Sequence, residues 1–357
     1  MFVGCDRSEP EPIRIGFVGE ITGRTAAVGV AARDGALLAI DQVNRSGGID
    51  GRRVELIVKD IGQDGVVALN AVEELKAAKV SVIVGPMTST MALLMVPLVN
   101  NNDMLMVSPT AATTRLGGKD DNFLRLRPQC SFVANKLADY VVAERGLRKI
   151  SIIYDVGNSG YTADWKNCFS KGVVSKGGEI VSMVAFDSGG GHSFTALVNE
   201  ATKVDTEGLL ILANSLDTAM ISQQLLKQGR KLPVFATEWS LTRDLLQSGG
   251  HSVEGLSIFH VFNESSKKQN YLDFKKRYQA YFNQKVSFPT IHAYDATQIV
   301  LTGLKQGARS GLELRKILLQ QQSFDILQST IRFDKYGDVE RDLFLTVIQD
   351  GKFVVIR

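Results

Sequence analysis

Short apolar runs and amphipathic stretches alternate along nearly the whole chain, and they do so in two series. Ile13–Gly19 reads as a strand. Residues 29–46 then place Ala32, Ala36, Ala39, Ile40 and Val43 at three- and four-residue steps, the helical period, and Gly47-Gly48 ends the run. Val54, Leu56 and Val58 alternate as a strand does. A helix at 65–78, a strand at 80–84, a helix at 89–101 and a strand at 104–107 continue the rhythm. The second series runs helix 131–146, strand 149–154, helix 161–176, strand 179–185, helix 193–203, strand 208–213, helix 215–229 and strand 232–236. Such alternation predicts α/β architecture, with parallel sheets covered by helices on both faces. At 357 residues the chain exceeds one ordinary core, so two doubly wound units are expected. After Phe262 come helices near 270–282, 291–307 and 311–321, then strands at 329–333, 344–349 and 353–356.

In open parallel sheets ligands sit outside the carboxyl ends of the strands. Two facing sheets would place that site in the cleft between them. The sequence offers little for catalysis there. It contains no Gly-x-x-x-x-Gly-Lys-Ser/Thr run, no Gly-x-Gly-x-x-Gly after the first strand and no Gly-x-Ser-x-Gly. With three cysteines and four histidines, and no Cys-x-x-Cys or His-x-x-x-His spacing, no metal or cofactor is expected. Cys130 and Cys168 read as free, partly buried thiols rather than a disulfide. A formal charge of +3 without a basic run gives no argument for nucleic acid. No apolar segment reaches the ~18–20 residues needed to cross a bilayer.

Two strand ends carry hydroxyl clusters instead, Met87-Thr88-Ser89-Thr90 and Ser108-Pro109-Thr110-Ala111-Ala112-Thr113-Thr114. Ser89 falls at a helix N-terminus, where it could cap the helix or join free N–H groups in receiving a carboxylate or phosphate. The second cluster suits either a hydroxyl-stabilised turn or a donor-lined loop. An α-amino acid would also need an acid for its ammonium. Asp217 and Glu238, both just past late strands, are the candidates, unless they merely cap helices or face solvent.

The stretch IRIGFVGEITGRTAAVGVAARDGALLAIDQVNRSGGIDGRRVELIVKD resembles the opening of the Leu/Ile/Val-binding proteins of bacterial ABC transporters. VSVIVGPMTSTMA, MLMVSPTAAT, YDVGNSGYTADW, AYDATQIVLTGL and IRFDKYGD are similar to later signature regions of that family. The resemblance implies a type I periplasmic binding fold, two α/β lobes joined by three crossovers, which binds and releases a solute without turnover. It implies lobes of about 13–127 plus 257–332 and 128–256 plus 333–357, after a tail at 1–12. On the matching positions, Ser89 receives the ligand carboxylate and Thr110 and Ala112, with Ala111 between them, contact the carboxylate and amine. Ala112 stands where a hydroxyl is expected, with Thr113 next in line to supply it. Tyr161 closes over the ligand and Glu238 pairs with the ammonium. Val28 and the Ala213-Asn214-Ser215 strand end lack the family's aromatic residues, which points to a side chain other than leucine.

The implied partners are an α-amino acid, branched-chain or related, and the permease and ATPase of an importer. A sensor of the same fold and a binder of a non-amino-acid carboxylate are the alternatives. A monomer in the periplasm or at the cell surface is expected. Phe2-Val3-Gly4-Cys5 resembles the end of a lipoprotein signal, so Cys5 could carry a lipid anchor on a short polar leash.

Overall fold

The computed structural model describes residues 10–357, and Cys5 with its neighbours lies outside them. The chain begins β1 (Ile13–Gly19), α1 (Ala26–Arg45), β2 (Val54–Asp60), α2 (Gly65–Ala77), β3 (Val82–Val84), α3 (Ser89–Asn101), β4 (Leu105–Ser108) and β5 (Phe123–Arg125). It continues α4 (Cys130–Ala138), β6 (Lys149–Asp155), α5 (Ser159–Ser175), β7 (Glu179–Phe186), α6 (Phe194–Ala201), β8 (Gly208–Leu212), α7 (Ser215–Lys227), β9 (Val234–Thr237), α8 (Arg243–Gly249) and β10 (Ser257–His260). Helices α9 (Gln269–Phe282), α10 (Phe288–Lys305) and α11 (Gly311–Gln321) follow, then strands β11 (Ser323–Asp325), β12 (Thr330–Arg332), β13 (Phe344–Gln349) and β14 (Lys352–Val355).

Among the described residues the strands form a five-stranded sheet, β2-β1-β3-β4-β5, a seven-stranded sheet, β14-β13-β10-β9-β8-β6-β7, and the β11-β12 hairpin. The first sheet is all parallel. In the second, β7-β6-β8-β9-β10 is parallel and β13-β14 add an antiparallel edge. Both parallel sets therefore have the same order, 2-1-3-4-5, the doubly wound arrangement whose switch point lies between its first and third strands.

Helices cover both faces of each sheet, as the apolar runs require. Val82 and Val84 join one core cluster while Ile83 between them joins another. Leu210 and Leu212 likewise face one cluster and Leu209 and Ile211 another. Each such fully buried side chain contributes about 1.5–3 kcal/mol before entropy is counted.

Helix α10 packs on α1, β3 and β4, and α11 on β4, so the late helices return to the first lobe. The α1–α10 contact explains the Gly35-Ala36 pair. A Cβ on Gly35 would lie 2.1 Å from the Thr290 carbonyl oxygen, so only glycine allows the two helices this close.

The chain crosses between lobes after β5, after β10 and between β12 and β13. The second crossing corrects the expected division at residue 257: β10 pairs with β9 and β13, so 257–260 belong to the second sheet. A four-residue strand gives no sign in its own composition of which sheet it joins. Cys130 and Cys168 are both free. Among the described residues, no helix is long and apolar enough to cross a membrane.

Candidate ligand-binding cleft

The loops at the two switch points face each other. From the first lobe, β3 leads into Met87 and Ser89, and β4 leads into Thr110. From the second, β6 leads to Asn158 and Tyr161, and β9 to Glu238 and Trp239. Arg127 enters from the first crossover. Val28, Met87, Ser89, Thr110, Arg127, Asn158, Tyr161, Trp239 and Phe288 line one small cavity. The space open to the centre of a water-sized sphere is about 20 Å³, room for one water and far too little for an amino acid. In this arrangement of the lobes the cleft leaves no space for a solute of that size.

Contacts across the cleft hold them together. Thr90 Oγ1 donates to Asn158 Oδ1 (3.1 Å) and accepts from the Gly160 N–H (2.9 Å). Arg24 of the β1–α1 loop is paired with Asp217 of α7. Asp164 of α5 accepts from Thr113 Oγ1 (2.5 Å), Thr114 N (2.8 Å) and Thr114 Oγ1 (2.9 Å).

The expected site residues divide accordingly. Ser89 lines the cavity, and its Oγ accepts from Ala112 N at 3.0 Å, which leaves its own O–H free to donate. It does not cap α3: Thr88 holds the cap position, and its hydroxyl donates to buried Glu20 at 2.5 Å. Thr110 also lines the cavity, but its hydroxyl donates to the Met87 carbonyl at 2.6 Å. Ala111 donates its N–H to Ser108 Oγ (3.0 Å). The Ala112 N–H is engaged by Ser89 and its carbonyl by Cys130 N (2.7 Å). Thr113 does not replace the missing hydroxyl, because Asp164 takes it. Asp217 sits outside the cavity lining. It is fully buried and held by Arg24 and by Asn214 Nδ2 (2.6 Å). Tyr161 lies edge-on to Trp239, with ring centroids 6.1 Å apart. Neither its Oη nor Trp239 Nε1 has a hydrogen-bond partner of proper geometry.

Glu238 is the largest departure. It is fully buried, and its Oε2 lies 2.6 Å from Arg127 Nη1 while its Oε1 lies 3.4 Å from His292 Nε2. Burial alone would raise its pKa, but the Arg127 charge and the His292 hydrogen bond outweigh burial and hold it at about 2. Burial would lower Arg127, and Glu238 outweighs that too, so the guanidinium pKa is raised. Burial also lowers His292, and lowers His260 to about 4, so both imidazoles are neutral near pH 7. Arg341, half-buried, approaches His292 Nδ1 at 3.5 Å. The expected ammonium partner is thus already neutralised.

Sequence reasoning missed Arg127, Asn158, Trp239 and Phe288. The available signals were an arginine in the crossover Leu126-Arg127-Pro128, where a charge must be buried, and a tryptophan directly after Glu238.

Two doubly wound lobes that meet over a donor-lined cavity, with no nucleophile activated there, define a two-lobed solute binder. The chain belongs to the periplasmic binding protein family, whose profile matches residues 12–352. It is therefore a non-enzymatic transport component. The Leu/Ile/Val-binding protein homolog 3 of Brucella melitensis is 25% identical over 96% of this chain and 93% of the relative. The branched-chain amino acid transporter substrate-binding protein of Streptococcus pneumoniae, in complex with isoleucine, superposes with a TM-score of 0.88 at 24% identity, covering 97% of this chain and 99% of that one. A solute-binding protein of an ABC transporter from R. palustris, in complex with benzoate, superposes with a TM-score of 0.86 at 16% identity, covering 97% and 95%.

Proposed function

We propose that this chain is the extracytoplasmic solute-binding component of an ABC importer and takes a small carboxylate-bearing solute into the cleft between its lobes. One observation carries the reading: donors from both lobes and a crossover (Ser89, Tyr161, Trp239 and Arg127) converge on a single buried cavity whose remaining walls include Val28, Met87 and Phe288. Donors favour a carboxylate, and the apolar walls favour a hydrocarbon body. The solute seats first on Ser89 of the open first lobe. The second lobe then brings Tyr161 and Trp239 over it, and the closed shape is what a permease reads.

The names of the relatives favour an α-amino acid, whose carboxylate would then sit at Ser89 and whose ammonium would sit at Glu238. The Arg127–Glu238 pair supports a second version, a carboxylate without an ammonium. The same fold holds isoleucine in one relative and benzoate in another, so fold alone does not choose. A thermal-shift screen of amino acids and small organic acids, followed by calorimetry on the hits, tests the proposal. Stabilisation by at least one carboxylate, abolished by Ser89→Ala with Tyr161→Phe, supports it. A protein that no carboxylate stabilises would sink it.

A further inference from the structure

Glu238, Asp217, Glu20 and Asp155 are acids at strand ends around the cleft, and each already has at least one partner. Asp155 Oδ1 accepts from Gly157 N (2.9 Å) and Ser188 N (3.0 Å), while its Oδ2, like Oε2 of Glu20 and of Glu238, has no well-aligned hydrogen bond. Glu238 is held by Arg127 at 2.6 Å and faces His292 at 3.4 Å. Asp217 is held by Arg24 and Asn214. Glu20 accepts from Thr88 at 2.5 Å. None of the side chains lining the cavity is acidic. The groups there with unmet capacity include Arg127 Nε, Tyr161 Oη and Trp239 Nε1, each on a residue more than nine-tenths buried. Arg127 and Trp239 can only donate, and Tyr161 can donate as well.

Resting on the solute-binding reading above, we propose that Arg127 sets the specificity of this cleft: it occupies Glu238, removes the place for an ammonium and adds a cationic donor for the one carboxylate in the cavity it shares with Ser89, so that the preferred solutes are apolar monocarboxylates lacking an α-ammonium. A guanidinium has five donors in a planar fork, so Nη1 can keep Glu238 while the remaining edge takes the solute carboxylate. The half-buried Arg341, 3.5 Å from His292 Nδ1, adds a second positive charge nearby. An ammonium has no such place. To reach Glu238 it must displace Arg127, and the displaced guanidinium then lies beside it as a like charge in a site with little water. Val28, Met87, Trp239 and Phe288 line the cavity with apolar surface, which suits an aliphatic or aromatic body.

The test uses the full chain, unfolded and refolded to strip any carried-over solute, and ligand pairs that differ only in the α-amino group. Leucine is compared with 4-methylpentanoate, and phenylalanine with 3-phenylpropanoate, by calorimetry. The deaminated acid of at least one pair is expected to bind tenfold or more tightly than its amino acid. Arg127→Met alone exposes Glu238 to the solute and should reverse the order. Because that variant leaves a buried charge and could fail to fold, Arg127→Met/Glu238→Gln is measured as well. It is expected to lose at least tenfold in acid affinity without gaining amino-acid affinity. Tighter binding of the amino acids by the natural sequence, or unchanged acid affinity in the double variant, overturns the role of Arg127 and leaves the solute-binding reading standing. No binding by either class overturns that reading itself.

Discussion

Arg127 Nη1 lies 2.6 Å from Glu238 Oε2, with both side chains almost completely withdrawn from water. Arg127 belongs to the first crossover and Glu238 to the end of β9, so the pair ties a hinge strand to the second lobe. Removing one partner leaves the other as an uncompensated buried charge, which costs about 3–5 kcal/mol. Replacing both leaves a neutral site and costs much less. Urea unfolding of Arg127→Met, Glu238→Gln and the double variant should therefore give a strongly non-additive cycle. Additive losses would mean that the two charges do not depend on each other.

The architecture was legible because burial on both faces of a parallel sheet writes long apolar runs, as in β6 and β8, where nearly every residue is buried. Length decided what was missed. Strands β5 and β11 have three residues each, too few for a period to show. The four-residue β10 was not read as a strand, and the expected lobe boundary at 257 put its residues in the wrong lobe, since pairing partners distant in sequence decide sheet membership. The site shows the same limit. Residue types at the strand ends were readable, so Ser89, Thr110 and Tyr161 do line the cavity. What each polar group was bonded to was not readable. Glu238 looked free because Arg127 is remote in sequence, and Thr113 looked like a spare hydroxyl because Asp164 comes from the other lobe.

Arg24 and Asp217 pair across the mouth of the cleft, with the Arg24 side chain 38% exposed and the Asp217 side chain fully buried. Arg24→Ala keeps the Asn214 bonds to Asp217 but leaves its charge without a cation in the closed form only. Opening rehydrates the carboxylate, so the closed population should fall. A half-exposed pair contributes about 1 kcal/mol, which shifts the open-to-closed ratio roughly fivefold. Small-angle scattering of the ligand-free protein should show a larger radius of gyration for Arg24→Ala, with an unfolding midpoint close to that of the natural sequence. An unchanged radius would show that the pair does not govern closure.

Burial raises the carboxyl of Glu20 from 4.5 to about 7, against hydrogen bonds led by Thr88, and burial likewise raises Asp295 from 3.8 to about 7. A group whose folded pKa is raised holds a proton in the folded state that the unfolded chain has released. Its contribution is complete below the unfolded pKa and is lost as pH climbs through the folded value. Glu238 has the opposite sign: with its pKa held at about 2, its contribution is present above 4.5 and lost as pH falls through 2. Stability should therefore peak in mildly acidic solution and decline between about pH 4.5 and 7. Glu20→Gln imitates the protonated acid and can still accept from Thr88. It should remove part of that decline, on the order of 3 kcal/mol at most for a shift of this size. Melting temperatures of both proteins across this range would decide the matter, and parallel curves would exclude Glu20.

Gly160 lies in the first turn of α5, where that helix packs against α3 of the first lobe. A Cβ there would lie 2.9 Å from both the Cα and the N of Thr90, and 2.9 Å from Leu93 Cδ1. Thr90 and Leu93 belong to α3 of the other lobe, so the obstruction exists only when the cleft is shut. Within its own helix the residue has no unusual backbone, and alanine would favour the helical conformation by up to about 1 kcal/mol. Gly160→Ala should thus leave the ligand-free protein as stable as before, or slightly more so. Gly160→Val, with a bulkier wedge, should hold the lobes apart more strongly. Solute affinity should fall at least tenfold in the alanine variant and further in the valine variant, mainly through a faster off-rate, because the second-lobe contacts form last. Calorimetry together with stopped-flow dissociation measures both effects. Full affinity in Gly160→Val would mean that the cleft does not need to close this far to bind.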